Sequence, residues 1–222
     1  MMTSNVAGPT VNNVNKTTKK NPFRILSINL ETMNKKENDV QQTVDETFPD
    51  VICLQETRLK QKSKIKGYQE ENFIPTGPKG TGHRGTTILT KTGLVTIPSV
   101  KIAENGIELV GCEVAIPGHH SLKIVSSYFS PSLANTFKEN QRKAMRTAMN
   151  ALDPSTPSIG IGDFNAKLAL PQHSTTNPLG DVMTELIDEN ELVAHASKHG
   201  RRSCGVRGGR VPHKNLDVGD TI

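Results

Sequence analysis

The chain has 222 residues, enough for one ordinary domain with a core of its own, and 27 Lys and Arg against 22 Asp and Glu give a net charge of +5 that favours an anionic partner. No apolar run approaches the roughly 18 residues a membrane span needs, and Met1 to Lys20 lacks the continuous hydrophobic stretch of a secretory signal. Cys53, Cys112 and Cys204 are an odd number at wide spacing, which fits neither a disulfide framework nor a zinc site. The expectation is an intracellular protein, not secreted, with inert thiols.

Residues 1–20 are rich in Asn, Thr and Lys with almost no apolar periodicity, and read as a disordered polar lead-in to one domain over 21–222. Short apolar runs bounded by turn residues, at Phe23 to Ile28 and Val51 to Leu54, read as strands. Between them, Val40, Val44 and Phe48 recur at four-residue spacing in a helix from about Lys36 that stops at Pro49. From Thr57 to Gln69 there are five cations and no acid, with Arg58, Lys60, Lys62, Lys64 and Lys66 on alternate residues. An extended segment would put all five on one side, where they could track a phosphate backbone; an ordinary solvated surface fits the same pattern.

Strands resume at Thr86 to Leu89, Ile107 to Ile116 and Leu122 to Tyr128, and the stretch from Lys91 to Ile116 runs strand after strand without a helix. Thr136 with Glu139 forms a capping box ahead of a second helix, and Ser158 to Ile161 is a further strand. Asn177-Pro178 opens a third helix with Leu179, Val182, Met183, Leu186 and Ile187 on its apolar face. Lys198 to Leu216 is acid-free, carries Lys198, Arg201, Arg202, Arg207, Arg210 and Lys214 among glycines, and reads as a flexible basic loop. Strands alternating with helices predict an α/β fold, and the helix-free stretch predicts mixed sheets with helices packed outside.

Several strands end in a polar residue that a structural strand does not require: Asn29, Glu56, Tyr128, and Asp163 with Asn165. Singly, each has a plain explanation as a turn, surface or half-buried residue. Together they make a coherent chemistry. A hard cation such as Mg²⁺ takes oxygen ligands, one or two carboxylates plus waters and substrate phosphate, which suits Glu56 with Asn29 or Glu31. A second carboxylate, Asp163, can take a proton from an attacking water, Asn165 can orient it, and Tyr128 can donate a hydrogen bond to charge growing on a phosphoryl oxygen. The set is a plan for metal-assisted phosphoester hydrolysis.

Leu54-Gln55-Glu56-Thr57-Arg58 and Gly162-Asp163-Phe164-Asn165-Ala166-Lys167, preceded by Ser27-Ile28-Asn29 and separated by Ser126-Ser127-Tyr128, resemble in order the motifs of the endonuclease/exonuclease/phosphatase superfamily. The resemblance runs from about Asn21 to Val218. It implies two mixed sheets packed face to face with helices outside, an α/β/β/α four-layer sandwich. It also implies Mg²⁺, or Mn²⁺, at Glu56 with Asn29 and Glu31, and catalytic roles for Asp163, Asn165 and Tyr128. Asn215-Leu216-Asp217-Val218 resembles the later strand whose aspartate holds the catalytic histidine; a simple turn aspartate fits Asp217 as well. Gly162 to Lys167 followed by Asn177-Pro178-Leu179-Gly180, with the Lys66-Gly67-Tyr68 turn and Arg84-Gly85-Thr86 before a strand, is most similar to the endonuclease domains of LINE-type (non-LTR) retrotransposons. That branch implies DNA as substrate, a reverse transcriptase segment in a full-length element, and action in the nucleus; on such a substrate the charge pattern puts Arg58 to Lys66 and the stretch from Lys198 to Lys214, with Arg201 and Arg202, on backbone phosphates.

The family closes its site with a Ser-Asp-His motif on a last strand, which this sequence lacks; the expectation is a fragment whose last strand is missing. Three readings stay open: a DNA-nicking enzyme, a catalytically impaired relative that keeps the fold, and a small-molecule phosphatase, which extended basic runs suit less well.

Overall fold

The computed structural model describes residues 22–78, 83–116, 118–134, 139–152, 156–168, 175–196 and 204–208. The lead-in over 1–20, Arg201, Arg202 and Asp217 lie outside the described residues.

In chain order the elements are β1 (Ile25–Asn29), α1 (Glu37–Thr47), β2 (Val51–Gln55), β3 (Tyr68–Ile74), β4 (Thr86–Lys91), β5 (Thr96–Glu104), β6 (Ile107–Val114), β7 (Leu122–Phe129), α2 (Glu139–Asn150), β8 (Ser158–Asp163), α3 (Pro178–Glu189), β9 (Val193–Ala196) and β10 (Cys204–Gly208). They form a four-stranded sheet in the order β1-β2-β4-β3 and a six-stranded sheet in the order β5-β6-β7-β8-β10-β9. Both are mixed, because β1 runs parallel to β2, and β7 to β8, while the other pairs are antiparallel.

Period-two alternation explains the layering. On β2, Val51 and Cys53 join Ile88 from β4 and Val110, Cys112, Ile124 and Ile161 from the other sheet in one core between the sheets. Ile52 and Leu54, pointing the opposite way, pack with Val40 and Val44 of α1. The far face of the larger sheet, through Leu109, Val125 and Phe129, takes Met145 and Met149 of α2 and Leu179, Met183 and Leu186 of α3. The four layers are α/β/β/α, as the motifs implied. Covered on both faces, β2 is buried along its whole length, which is why it reads as a continuous apolar run. Between the sheets, Gln55 Nε2 donates to Ser126 Oγ at 2.9 Å, and Ser27 Oγ donates to Gln55 Oε1 at 3.4 Å. Burial pushes the Cys53 thiol up, and that of Cys112, with Glu71 adding to the effect, to about 12, so both stay neutral thiols.

Four details differ from the sequence reading. Phe48 is no part of the α1 stripe: it is the C-cap, at φ +48°, and is 64% exposed. β3 forms where little apolar alternation marks it, because it is the edge strand of its sheet and carries polar residues; β5, within the stretch read as strand after strand, is the edge of the other sheet, with Pro98 beside a register shift. The basic run from Arg58 is not a strand: Arg58 has φ +53° and the chain bends at Lys60 and Gln61. Its five cations are nonetheless all exposed, because Ile65, with Leu59 behind it, turns into the α1 core. Finally, Cys204–Gly208, inside the stretch read as a flexible basic loop, is a strand between β8 and β9.

Candidate active site at the converging strand ends

Two parallel pairs build the site. With Asn29 in register with Gln55, β1 and β2 finish at one rim, and Glu56 is the first residue past it. With Tyr128 in register with Asp163, β7 and β8 deliver a phenol and a carboxylate side by side from the other sheet. The sheets meet at Asn29. Its Nδ2 donates to Glu56 Oε1 at 3.1 Å and to Asp163 Oδ2 at 2.7 Å, so one amide clamps a carboxylate from each sheet. Glu56 and Asp163 are buried, at 8% and 2% exposure, and such charge-assisted bonds offset the repulsion between them. The orientation of the amide is set from behind, because Glu31 N donates to Asn29 Oδ1 at 3.1 Å. Glu31 is exposed, with φ +59°, and among the described residues no hydrogen bond ties its carboxylate to the cluster.

Asp163 Oδ1 accepts the Asn165 N–H at 3.1 Å, and Asn165 Nδ2 donates to Phe129 O at 2.8 Å. Asn177, the N-cap of α3, extends the network: Nδ2 donates to Asn165 O at 3.1 Å while Oδ1 accepts from Lys167 N at 3.1 Å and Gly180 N at 2.7 Å. Tyr128 is fully buried, and among the described residues its hydroxyl has no hydrogen-bond partner. Burial raises its pKa; Glu56, Asp163 and Glu108 add to that and Arg84 opposes it, so the phenol keeps its proton as a donor for an incoming acceptor.

Sequence reasoning noted Arg84 only within the branch resemblance and gave it no site role, and it missed Glu108 and the reach of Asn177. Arg84 Nη1 is 3.1 Å from Glu56 Oε2, an ion pair between residues that no local pattern relates. Glu108, paired with Tyr128 across β6 and β7, is fully buried. It accepts from Arg84 N at 2.5 Å, Gly85 N at 3.3 Å and Thr86 Oγ1 at 2.7 Å. Burial raises its pKa and these hydrogen bonds draw it down. Its signal was an acid set within the apolar run after Gly106.

Among the described residues no group of three or more His, Cys, Asp or Glu side chains could hold a metal ion. The oxygen donors at the rim are the Glu56 carboxylate, which accepts from Asn29 and Arg84, and Asp163, with the Tyr128 hydroxyl beside them; oxygen groups of this kind would suit a hard cation that keeps several waters.

No curated protein sequence matches the chain. Among solved structures it is similar to the endonuclease domain of TRAS1, a telomere-specific non-LTR retrotransposon, with a TM-score of 0.63 and 17% identity over 84% of this chain and 85% of that one. It is also similar to the AP endonuclease LMAP from Leishmania major, at TM-score 0.57 and 17% identity over 82% and 78% of the two chains. A family protein from Leptotrichia buccalis gives TM-score 0.54 and 16% identity over 82% and 86%. At such identities the likeness is one of fold. The sequence pattern of the Endonuclease/Exonuclease/phosphatase family matches residues 2–214, nearly the whole chain. The chain belongs to that family, whose members are hydrolytic nucleases and phosphatases.

Proposed function

We propose that the chain is a Mg²⁺-dependent phosphodiester hydrolase, a DNA endonuclease of the retrotransposon type that nicks target DNA. The observation that carries this reading is the Asn29 amide bonded at once to Glu56 and Asp163, which puts carboxylates from two sheets beside the buried Tyr128 hydroxyl. Glu56 is the carboxylate that holds Mg²⁺ or Mn²⁺, Asn29 keeps it in place, and Glu31 adds acidity at the rim. When bound, the ion supplies Lewis-acid polarisation of a phosphoryl oxygen. Asp163 takes the proton of the attacking water; Asn165, bonded to its Oδ1 and to Phe129 O, fixes its direction. Tyr128 donates its O–H to the charge that grows on the phosphoryl group.

The exposed cations Arg58, Lys60, Lys62, Lys64 and Lys66 begin two residues beyond Glu56 and suit an extended polyanion better than a compact headgroup. The basic stretch with Arg201 and Arg202 would serve the same polyanion by its charge, and Asp217 would complete the catalytic set, as the motif resemblance implies. The retrotransposon branch is drawn from Gly162 to Lys167 and Asn177 to Gly180, in keeping with the fold likeness to the TRAS1 domain. It makes a reverse transcriptase segment the partner in a full-length element, and the nucleus the place of action.

The test is nicking of supercoiled plasmid with Mg²⁺, with EDTA, and by Asp163→Ala of verified fold. Expected is nicking that EDTA abolishes and that the substitution lowers at least about 10²–10³-fold. No Mg²⁺-dependent difference between the two proteins overturns the reading. Phosphate release from inositol polyphosphates without plasmid nicking would replace it with a small-molecule phosphatase.

A further inference from the structure

The Arg84 segment is held by more than its ion pair with Glu56. Three donors end on one buried carboxylate: the N–H groups of Arg84 and Gly85 and the Thr86 hydroxyl all donate to Glu108. The Arg84 carbonyl is fixed as well, accepting from Arg58 N at 2.7 Å and Thr76 Oγ1 at 3.1 Å, and Gly85 O accepts from Thr57 N at 3.0 Å. Gly85 itself has φ +89°, and a Cβ there would stand 2.7 Å from Thr57 Oγ1, so no other residue keeps this close seam between the Arg84 and Glu56 segments. A fully buried carboxylate is costly to keep ionised without partners, and all the hydrogen bonds it receives from described residues come from these three positions.

What the braced segment delivers to the rim is a guanidinium. The Arg84 side chain is 40% exposed, and one N–H is engaged by Glu56 Oε2. The pair is formed by the side chain alone, so it does not account for the hydrogen bonds that brace the main chain behind it. The planar fork of five donors matches a phosphate, and its position offsets the repulsion that Glu56 and Asp163 exert on an anionic diester.

We infer that Arg84 is a phosphate-contacting residue of the site, and that Glu108 is the positioning residue that holds it there. The inference rests on the nuclease reading for its substrate, DNA backbone phosphate. Glu108 touches no substrate; it fixes the main chain from which the guanidinium extends.

Two measurements test this. The first is binding of a short DNA duplex with Ca²⁺ in place of Mg²⁺, followed against salt. Arg84→Ala should lower the log–log salt slope by about 0.9, the amount that goes with one phosphate left unneutralised, while Arg84→Lys and Glu108→Gln keep it within about 0.3 of the wild type. The second is Mg²⁺-dependent nicking. Arg84→Ala should lower kcat/KM about 10- to 100-fold, and Glu108→Gln about 5- to 10-fold. The double variant should be no slower than Arg84→Ala alone, because one residue acts through the other. A slope and a kcat/KM for Arg84→Ala within about twofold of the wild type overturn the inference, as do multiplying losses in the double variant. A wild type that binds DNA without nicking overturns the proposed function instead, and the salt slope still decides the role of Arg84.

Discussion

Asn177 ties the start of α3 to the loop that carries Asn165, and removing its side chain should cost stability and rate by separable amounts. In Asn177→Ala the cap bond to Gly180 N disappears, together with the bonds to Lys167 N and Asn165 O. A missing cap costs about 1 kcal/mol, and each further bond about 0.5–1.5 kcal/mol before water returns part of it. Asn177 is half-buried and Lys167 is exposed, so that return is substantial and the total is about 1.5–3 kcal/mol. For a domain of this size that lowers Tm by about 3–12 °C, read by thermal or urea unfolding. Asn177→Asp separates the two effects. Its carboxylate still accepts from Gly180 N and Lys167 N and adds charge favourable to a helix N-terminus, so Tm should stay within about 3 °C of the wild type. It can no longer donate to Asn165 O and instead repels that carbonyl, so Mg²⁺-dependent nicking should drop about tenfold. A Tm for Asn177→Ala within about 1 °C of the wild type refutes the reasoning. So do matching losses of stability and rate in the two variants.

Three other outcomes are expected. In Gly162→Ala a Cβ would stand 1.9 Å from Ser127 O, at φ +151°, so β7 and β8 must part; a loss above about 3 kcal/mol in urea unfolding is expected, and a wild-type midpoint would contradict the geometry. Burial raises Glu108 above its ordinary 4.5, so the stability it contributes is complete below that value and is lost as pH rises through the raised one. The stability of the wild type relative to Glu108→Gln should therefore fall as pH rises above that ordinary value, and a difference that does not change with pH would show that the carboxylate is not burdened by burial. Replacing Lys60, Lys62 and Lys64 together by Ala should lower the salt slope of duplex binding by up to about 2.7 if the exposed row lies on phosphates; an unchanged slope would remove that row from the DNA surface.

How much of this could be read beforehand depended on whether the cause was local. Asn29, Glu56, Tyr128 and Asp163 stood out because each closes an apolar strand with a residue the strand does not need, a contrast visible within a few positions. The cap at Asn177 was legible for the same reason, since Asn-Pro before an apolar stripe is a local signature. Arg84 and Glu108 were not, because what gives them meaning is pairing at a distance: Glu108 lies opposite Tyr128 only through the β6–β7 register, and Arg84 reaches Glu56 only because β4 pairs with β2. The edge strand β3 escaped for a related reason, as a strand exposed at the sheet edge carries little apolar alternation to betray it.

The basic row shows the limit most directly. Alternate cations suggested a flat, one-sided strand, yet the chain there bends and two of its apolar residues, Leu59 and Ile65, are drawn into the α1 core. Burial of those residues turns the intervening charges outward, so the pattern arises from where the loop is anchored and not from a pleat. The same distinction governs the site. Which polar strand ends meet is decided by strand direction: β1 with β2 and β7 with β8 are the parallel pairs around it, and parallel neighbours finish at the same rim. Had β8 run antiparallel to β7, Asp163 would lie at the opposite end of the sheet from Tyr128, and Asn29 would have no second carboxylate to clamp.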